Sequence, residues 1–190
     1  MSSGNDKTVQ KWEVLSRRTT ADYRLFRIEQ KRVRSPRTGD AMDVQAIHFP
    51  DWAVVLPVTC RQTVVMIHQY RHGNEQICLE LPGGLVDPAD GSPEKSAHRE
   101  LMEETGYRAD RIIPLGVTYP QPAVLSNRCF FFLAEDVMRV DQMTLDAGED
   151  IALAEVSLGN VRAWIQNGKI DNAMTILAFT YYWMMRSSEK

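Results

Sequence analysis

The chain has 190 residues, of which 44% are hydrophobic, so it is long enough to bury the core of one ordinary domain. Its formal net charge of −3 provides no basic field, which argues against a nucleic-acid partner. The first residues are polar and the longest apolar stretch, 173–185, is too short to cross a bilayer, so we expect a cytoplasmic protein without a membrane partner. Cys60, Cys78 and Cys129 form no CxxC pair, which favours buried thiols in a reducing compartment.

The N-terminal part of the chain is predicted to contain a tail and a small sheet. Residues 1–10 are polar and are expected to form a disordered tail. Residues 11–50 alternate apolar and polar side chains, and the segment 35–40, Ser-Pro-Arg-Thr-Gly-Asp, is typical of a turn. We therefore expect an antiparallel β subdomain over residues 11–50.

The remainder, residues 51–190, is predicted to form a catalytic α/β domain. Its patterns indicate helices that begin near Ser92, at Ser157 and at Asp171 or Asn172. Strands are expected at 52–58, 64–71, 76–81, 112–117, 128–134 and 151–156. Strands with interspersed helices predict an α/β/α sandwich with a mixed sheet between helices.

The most informative segment is 81–107, in which a glycine-rich turn leads into a helix. The turn contains Gly83, flanked by a proline and a second glycine. Ser92 followed by Pro93 is typical of an N-cap and a first helical residue. Gly106 is typical of the left-handed residue that ends a helix, so we expect about three and a half turns between these limits.

One face of that helix carries three acids. Glu100, Glu103 and Glu104 stand at i, i+3 and i+4, where like charges repel, and Arg99 is placed to neutralise Glu103. Leu101 belongs to a short apolar stripe beside them, which places the acidic face near the protein body. A solvated helix surface is the plainer interpretation. The alternative is a site for a hard divalent cation, which prefers oxygen ligands.

The order of these residues resembles the Nudix box, written G-x5-E-x7-R-E-U-x-E-E-x-G-U with U apolar. Residues 99–107, Arg-Glu-Leu-Met-Glu-Glu-Thr-Gly-Tyr, match its second half, and Gly84 matches its opening glycine. Two features depart from the pattern: Asp90 stands in place of the first glutamate, and Arg99 follows Gly84 by fifteen residues in place of fourteen. In the family that glutamate supports the loop and the box arginine, so the departures concern the loop more than the metal site.

The resemblance implies a Nudix-type sandwich and a pyrophosphohydrolase. Three features are similar to the ADP-ribose and ADP-sugar pyrophosphatases of that family: residues 148–151, residues 168–173, and Pro122, sixteen residues past Gly106. The implied reaction is hydrolysis of nucleoside diphosphate sugars such as ADP-ribose to a nucleoside monophosphate and a sugar phosphate. The implied cofactor is Mg²⁺, two or three ions with Mn²⁺ as a substitute. The family also implies a homodimer that exchanges N-terminal strands.

The resemblance further implies roles for individual residues. Glu149 is the expected catalytic base or a metal ligand, and the plainer interpretation of it is an acidic surface loop. The implied catalytic set is Glu149, Glu104, Glu100, Glu103 and Arg99; the implied metal ligands are Gly83 (by its carbonyl), Glu100, Glu103, Glu104 and Glu149; the implied substrate-binding residues are Arg71, Gly84, Leu85, Asn127 and Arg128. Arg71 would clamp the diphosphate, unless it is only an exposed arginine at a strand end.

Substrate choice is left open by the sequence. ADP-ribose enzymes of the family tend to carry Ser-Glu-Arg where this chain has Ser126, Asn127 and Arg128, which favours a broader nucleoside-diphosphate-sugar hydrolase. Other diphosphate substrates, among them dinucleoside polyphosphates, coenzyme A and capped RNA, are rival hypotheses. A protein that binds a nucleotide sugar as a sensor, without catalysis, is a rival from a different class.

Overall fold

The computed structural model describes residues 8–145 and 147–188. The predicted tail falls mostly on residues 1–7, which lie outside this part. The strands are β1 (Glu13–Asp22), β2 (Arg27–Arg34), β3 (Ala41–His48), β4 (Trp52–Pro57), β5 (Thr63–Arg71), β6 (Gln76–Glu80), β7 (Gly83–Leu85), β8 (Tyr107–Arg108), β9 (Ile112–Thr118), β10 (Cys129–Ala134), β11 (Met138–Arg139) and β12 (Ile151–Ser157). The helices are α1 (Pro93–Thr105), α2 (Leu158–Gln166) and α3 (Ala173–Ser188).

One compact unit holds the described residues up to 49 together with residues 121–126. Its strands β1, β2 and β3 form an antiparallel sheet in that order, which confirms the predicted N-terminal sheet. The predicted turn joins β2 to β3, where Ser35 N–H donates to the Asp40 carbonyl over 2.9 Å. The segment 121–126 belongs here because the Ile47 N–H donates to the Val124 carbonyl over 2.7 Å.

The second unit holds residues 50–120 and the described residues from 127 onward. Its four-stranded sheet has the order β7-β4-β10-β9, and it is mixed because β10 runs parallel to β4 while the other pairs are antiparallel. A three-stranded antiparallel sheet has the order β12-β5-β6. The short strands β8 and β11 pair with each other. The predicted mixed sheet is therefore confirmed.

The core of this unit lies on both faces of its sheets. Leu56 of β4 packs in a cluster with residues of α2 and α3, such as Val161 and Phe179. The neighbouring Val55 packs in a second cluster with Leu101 of α1. Successive side chains of a strand point to opposite faces, so helices cover the strand on both sides and the predicted sandwich is confirmed.

The glycine segment differs from its prediction as a turn. Gly83 begins the short strand β7, which pairs antiparallel with β4 and places Gly83 opposite Val54. A Cβ atom at Gly83 would lie 2.3 Å from the carbonyl oxygen of Ala53. The chain forms a strand here because a residue without a side chain can approach β4 that closely. The loop that follows β7 contains one turn of 3-10 helix, Pro88–Asp90.

Two further observations bear on the predictions from composition. No helix in residues 8–145 or 147–188 is long and apolar enough to pass through a membrane.

All three cysteines are free thiols, but only Cys78 and Cys129 are buried. The expectation of a buried thiol is wrong for Cys60, which is exposed because it lies in the turn between β4 and β5.

The close approach of β7 to β4 generates a stability prediction. Gly83→Ala should lower the free energy of unfolding by about 2 kcal/mol, a drop of roughly 6 °C in Tm for a chain of this size, because the backbone of Ala53 must move. Gly73→Ala is the matched control, since a Cβ atom there meets nothing within 4 Å. Thermal unfolding by circular dichroism measures both variants. Equal melting temperatures for the two would contradict the packing described here.

Candidate active site

Helix α1 positions the acidic side chains, and its ends follow from local chemistry. The Ser92 hydroxyl oxygen accepts a hydrogen bond from the Lys95 N–H over 3.2 Å, and Gly106 ends the helix at φ 70°. Both predicted limits are confirmed. Leu101 is fully buried, so the side chains beside it face the protein body: Glu100 is 8% exposed and Glu104 is 2% exposed.

The glycine strand forms a wall against which the two buried carboxylates lie. Gly83 N–H donates to Glu104 Oε2 over 2.7 Å, which ties β7 to α1. A Cβ atom at Gly84 would lie 2.4 Å from Glu100 Oε1. Only a glycine at position 84 therefore leaves room for the Glu100 carboxylate as it stands.

Arg99 connects the helix acids to the loop that precedes the helix. Its Nη1 lies 2.7 Å from Glu103 Oε2 and 2.9 Å from Glu100 Oε1, and its Nη2 donates to the Leu85 carbonyl over 3.2 Å. The predicted pairing of Arg99 with Glu103 is confirmed. The guanidinium thus screens part of the repulsion between neighbouring carboxylates.

Asp90 shows how the longer loop is accommodated. Its Oδ2 accepts hydrogen bonds from the Ser96 hydroxyl over 2.8 Å and from Arg99 Nε over 3.1 Å. The Ser96 hydrogen bond and the charge of Arg99 hold the pKa of this carboxyl below its usual range. Asp90 ends the 3-10 turn Pro88–Asp90, and from there an acid shorter than glutamate reaches the arginine of the helix.

The carboxylate cluster of α1 consists of Glu100, Glu103 and Glu104. In the absence of a cation, its surroundings favour the protonated form of the two buried carboxyls, Glu100 and Glu104. Burial raises the pKa of Glu100 to about 7 and that of Glu104 to about 8. The charge of Glu149 is a smaller contribution to both of these raised pKa values. Glu149 lies in the segment between β11 and β12. Because its charge acts on both helix carboxyls, the structure brings this predicted residue within electrostatic range of them.

Arg71 lies at the end of β5, close to the same carboxylates. Its Nε donates to Glu80 Oε1 over 3.0 Å and its Nη2 to Glu80 Oε2 over 2.8 Å. The hydrogen bonds to Glu80 raise the pKa of Arg71, and the charge of Glu104 adds to that shift. Glu80 is not among the site residues that the sequence predicts. The available signal was a single acid between the apolar residues Leu79 and Leu81.

The structure places two other predicted residues apart from this cluster. Arg128 Nε and Nη2 both donate to Asp51 Oδ2, over 3.1 and 2.7 Å, so its guanidinium is bound to Asp51. Asn127 is 2% exposed, and neither polar atom of its amide has a hydrogen-bond partner within the described residues. No polar contact in that part of the chain joins either residue to the carboxylates of α1.

The donor set of the cluster is made of oxygen atoms. When all are ionised, Glu100, Glu103 and Glu104, together with the neighbouring Asp90, carry four negative charges, against one positive charge from Arg99. In residues 8–145 and 147–188 no group of three His, Cys, Asp or Glu side chains stands in a ready-made metal-binding geometry. In this arrangement the carboxylates instead contact protein donors: Arg99 contacts Glu100 and Glu103, and the Gly83 N–H donates to Glu104.

Comparisons with known proteins agree with the sequence motif. A model of the NUDIX domain matches residues 49–173. The chain is 29% identical over 182 residues to an ADP-ribose pyrophosphatase of Bacillus subtilis (strain 168), covering 95% of this chain and 94% of the relative. It is 34% identical over 128 residues to a GDP-mannose pyrophosphatase of Yersinia pestis (strain Pestoides F), covering 63% of each.

A solved structure has the same fold. The crystal structure of an ADP compounds hydrolase superimposes with a TM-score of 0.84 at 22% sequence identity, covering 96% of this chain and 98% of that chain.

The raised pKa values generate a prediction for the metal-free protein. The two carboxyls titrate near 4.5 when unfolded and at about 7 and about 8 when folded, so the folded state binds more protons between those values. Stability should therefore fall as pH rises from 5 to 8.5. Calorimetry in a chelator should show Tm decreasing by several degrees over that range, and Glu104→Gln should flatten the decrease. The exposed Glu94→Gln serves as control, and an unchanged slope in the Glu104 variant would contradict the assignment.

Proposed function

Since the chain belongs to the Nudix family, we propose that it hydrolyses the pyrophosphate bond of nucleoside diphosphate sugars such as ADP-ribose. The products would be a nucleoside monophosphate and a sugar phosphate. One observation carries the proposal: Glu100 and Glu104 are buried against the glycine strand, with the charge of Glu149 close to both. That arrangement concentrates oxygen donors and negative charge where a diphosphate enzyme requires cations.

We propose Mg²⁺ as the cofactor, two or three ions with Mn²⁺ as a substitute. Glu100, Glu103, Glu104, Glu149 and the carbonyl of Gly83 would hold them. The residues fit such ions in chemistry, because hard cations prefer oxygen ligands. An added cation would also offset the burial and the charge repulsion that raise the pKa of Glu100 and Glu104. When bound, the ions screen the phosphate oxygens and acidify the attacking water.

The protein's own side chains would supply positioning and proton transfer. Arg71 would bind the diphosphate oxygens through the N–H groups that Glu80 leaves unused, and Arg99 would hold the helix carboxylates in place. The carboxylate of Glu149 would accept a proton from the attacking water as general base. Gly84 and Leu85 would line the diphosphate path.

Asn127 and Arg128 are proposed to lie at the sugar end, where Arg128 would contact the substrate and the buried amide of Asn127 would act from behind that contact. The residue type at position 127 supports a broad substrate range. An amide at position 127 offers both a donor and an acceptor, whereas the glutamate typical of ADP-ribose enzymes offers acceptors only. Two relatives are named for different nucleotide sugars, ADP-ribose and GDP-mannose. We therefore propose that the enzyme accepts more than one nucleotide sugar.

We also propose a cytoplasmic homodimer. The free thiols of all three cysteines suit a reducing compartment. Strand β1 is an edge strand of its sheet, and it carries the exposed apolar residues Val14 and Leu15. A second copy of the chain would pair with such an edge and cover it.

A product analysis in ¹⁸O-water tests the proposed function. ADP-ribose, GDP-mannose, coenzyme A and a dinucleoside polyphosphate are incubated with the protein and Mg²⁺, with a chelator as control. We expect AMP and ribose 5-phosphate from ADP-ribose, no turnover with the chelator, and label in one product that identifies the attacked phosphorus. Binding of a nucleotide sugar without any turnover would overturn the enzyme proposal in favour of a sensor.

The role of Glu149 generates a separate prediction. Glu149→Gln should lower kcat by about a hundredfold or more while KM stays within about threefold, because a missing general base affects the transition state only. The neighbouring exposed residue provides a matched control, Asp150→Asn, which should retain wild-type kcat. A change confined to KM would assign Glu149 to substrate binding instead.

A further inference from the structure

Glu80 is a buried acid with no role in the proposed reaction. It is 3% exposed and stands in β6 next to Leu79 and Leu81. Those two leucines pack in the cluster under α2 and α3. Because side chains alternate along a strand, Glu80 points to the opposite face, the face that α1 covers.

A buried carboxylate is unfavourable unless it is paired, and Glu80 is paired with Arg71. Two parallel hydrogen bonds join them, Nε to Oε1 over 3.0 Å and Nη2 to Oε2 over 2.8 Å. The side chain of Arg71 is 44% exposed, whereas that of Glu80 is 4% exposed. The carboxylate therefore holds the inner edge of the guanidinium, and the outer edge remains open.

Arg71 keeps enough N–H donors, beyond those bound to Glu80, to bind a second anion. A guanidinium carries five N–H groups in a planar fork, and the two bonds to Glu80 use two of them. Three N–H groups remain for another anion. Glu80 stands three residues before Gly83, whose N–H donates to Glu104 Oε2 over 2.7 Å, and the charge of Glu104 contributes to the raised pKa of Arg71. The Arg71 guanidinium therefore lies on the side of the α1 carboxylates.

The backbone around Glu80 is anchored at several points. Glu80 is paired with Ile67 of β5 in the antiparallel ladder. The next residue, Leu81, donates its N–H to the Thr175 hydroxyl over 3.1 Å, and the Thr175 N–H donates to Asn172 Oδ1 over 2.9 Å. The backbone of Glu80 is thus fixed to β5, and the next residue is fixed to the start of α3. Arg71, in contrast, lies at the end of its strand and carries its guanidinium on a long, flexible side chain.

We propose that Glu80 is a positioning residue of the diphosphate site, which orients the guanidinium of Arg71 so that its remaining N–H groups meet the phosphate oxygens of the substrate. The inference rests on the proposed function, because it takes Arg71 to bind the diphosphate. Glu80 itself touches neither substrate nor cation. Glu80 holds the Arg71 guanidinium in one orientation. Without it, the arginine side chain would sample many conformations.

The test compares binding and turnover in Glu80→Gln. We expect the affinity for α,β-methylene ADP, measured by calorimetry with Mg²⁺, to fall about tenfold, with a matching rise in KM for ADP-ribose and kcat within about threefold, as for loss of uniform binding. In an Arg71→Ala background the same substitution should cause no further loss, because its effect passes through the arginine.

Glu155→Gln is the matched control. Glu155 lies in the same sheet and accepts hydrogen bonds from Arg61 Nη2 over 3.0 and 2.7 Å, so its loss also removes an arginine–carboxylate pair. It should leave affinity and KM unchanged. A melting curve is recorded for each variant to check that it folds. If Glu80→Gln does not fold, Glu80→Asp replaces it: this variant keeps the charge but shortens the side chain, so we expect a smaller loss of affinity for the analogue.

Several outcomes would overturn the inference. Unchanged or tighter analogue binding in Glu80→Gln would show that Glu80 only neutralises Arg71, and an equal loss in the Arg71→Ala background would show a general structural effect. The analogue is not hydrolysed, so its affinity tests Glu80 even if the wild-type protein turns over no substrate, a result that would refute the proposed function alone. Failure of the wild-type protein to bind the analogue would refute the role of Arg71 and of Glu80 together.

Discussion

Two like-charged side chains, buried together where the backbone of a glycine strand meets a helix, impose the central constraint on this protein. Glu100 and Glu104 lie against Gly83 and Gly84, and burial raises the pKa of both carboxyls. A protein selected only for stability would place apolar side chains there. The arrangement is understandable if a cation completes it, since the cation makes the ionised forms favourable in the folded state.

The surrounding charges are ordered by the same constraint. Arg99 is held between Asp90 and Glu103, and Arg71 is held by Glu80. Each guanidinium is held by carboxylates of the protein itself, so its position does not depend on the ligand. A diphosphate would therefore meet an Arg71 guanidinium that is already oriented, which reduces the entropy lost on binding.

Local sequence signals predicted the elements that depend on local chemistry. Ser92 and Gly106 set the limits of α1, and the spacing of its glutamates set its acidic face. The strand at Gly83 was not predictable, because glycine usually indicates a turn and only the distance to β4 makes a strand possible here. Glu80 was missed for a similar reason: its partner lies across a hairpin, and an acid in an apolar strand carries no mark of that partner.

If the buried carboxylates of α1 hold divalent cations, as we propose, crystals soaked in Mn²⁺ near pH 8 should bind the ion beside them. We expect anomalous scattering peaks about 2.1 Å from carboxylate oxygens of Glu100 and Glu104, with the Arg71 guanidinium still bound to Glu80. Crystals that bind Mn²⁺ elsewhere or turn over substrate, and yet show no peak beside α1, would refute the proposed cation site.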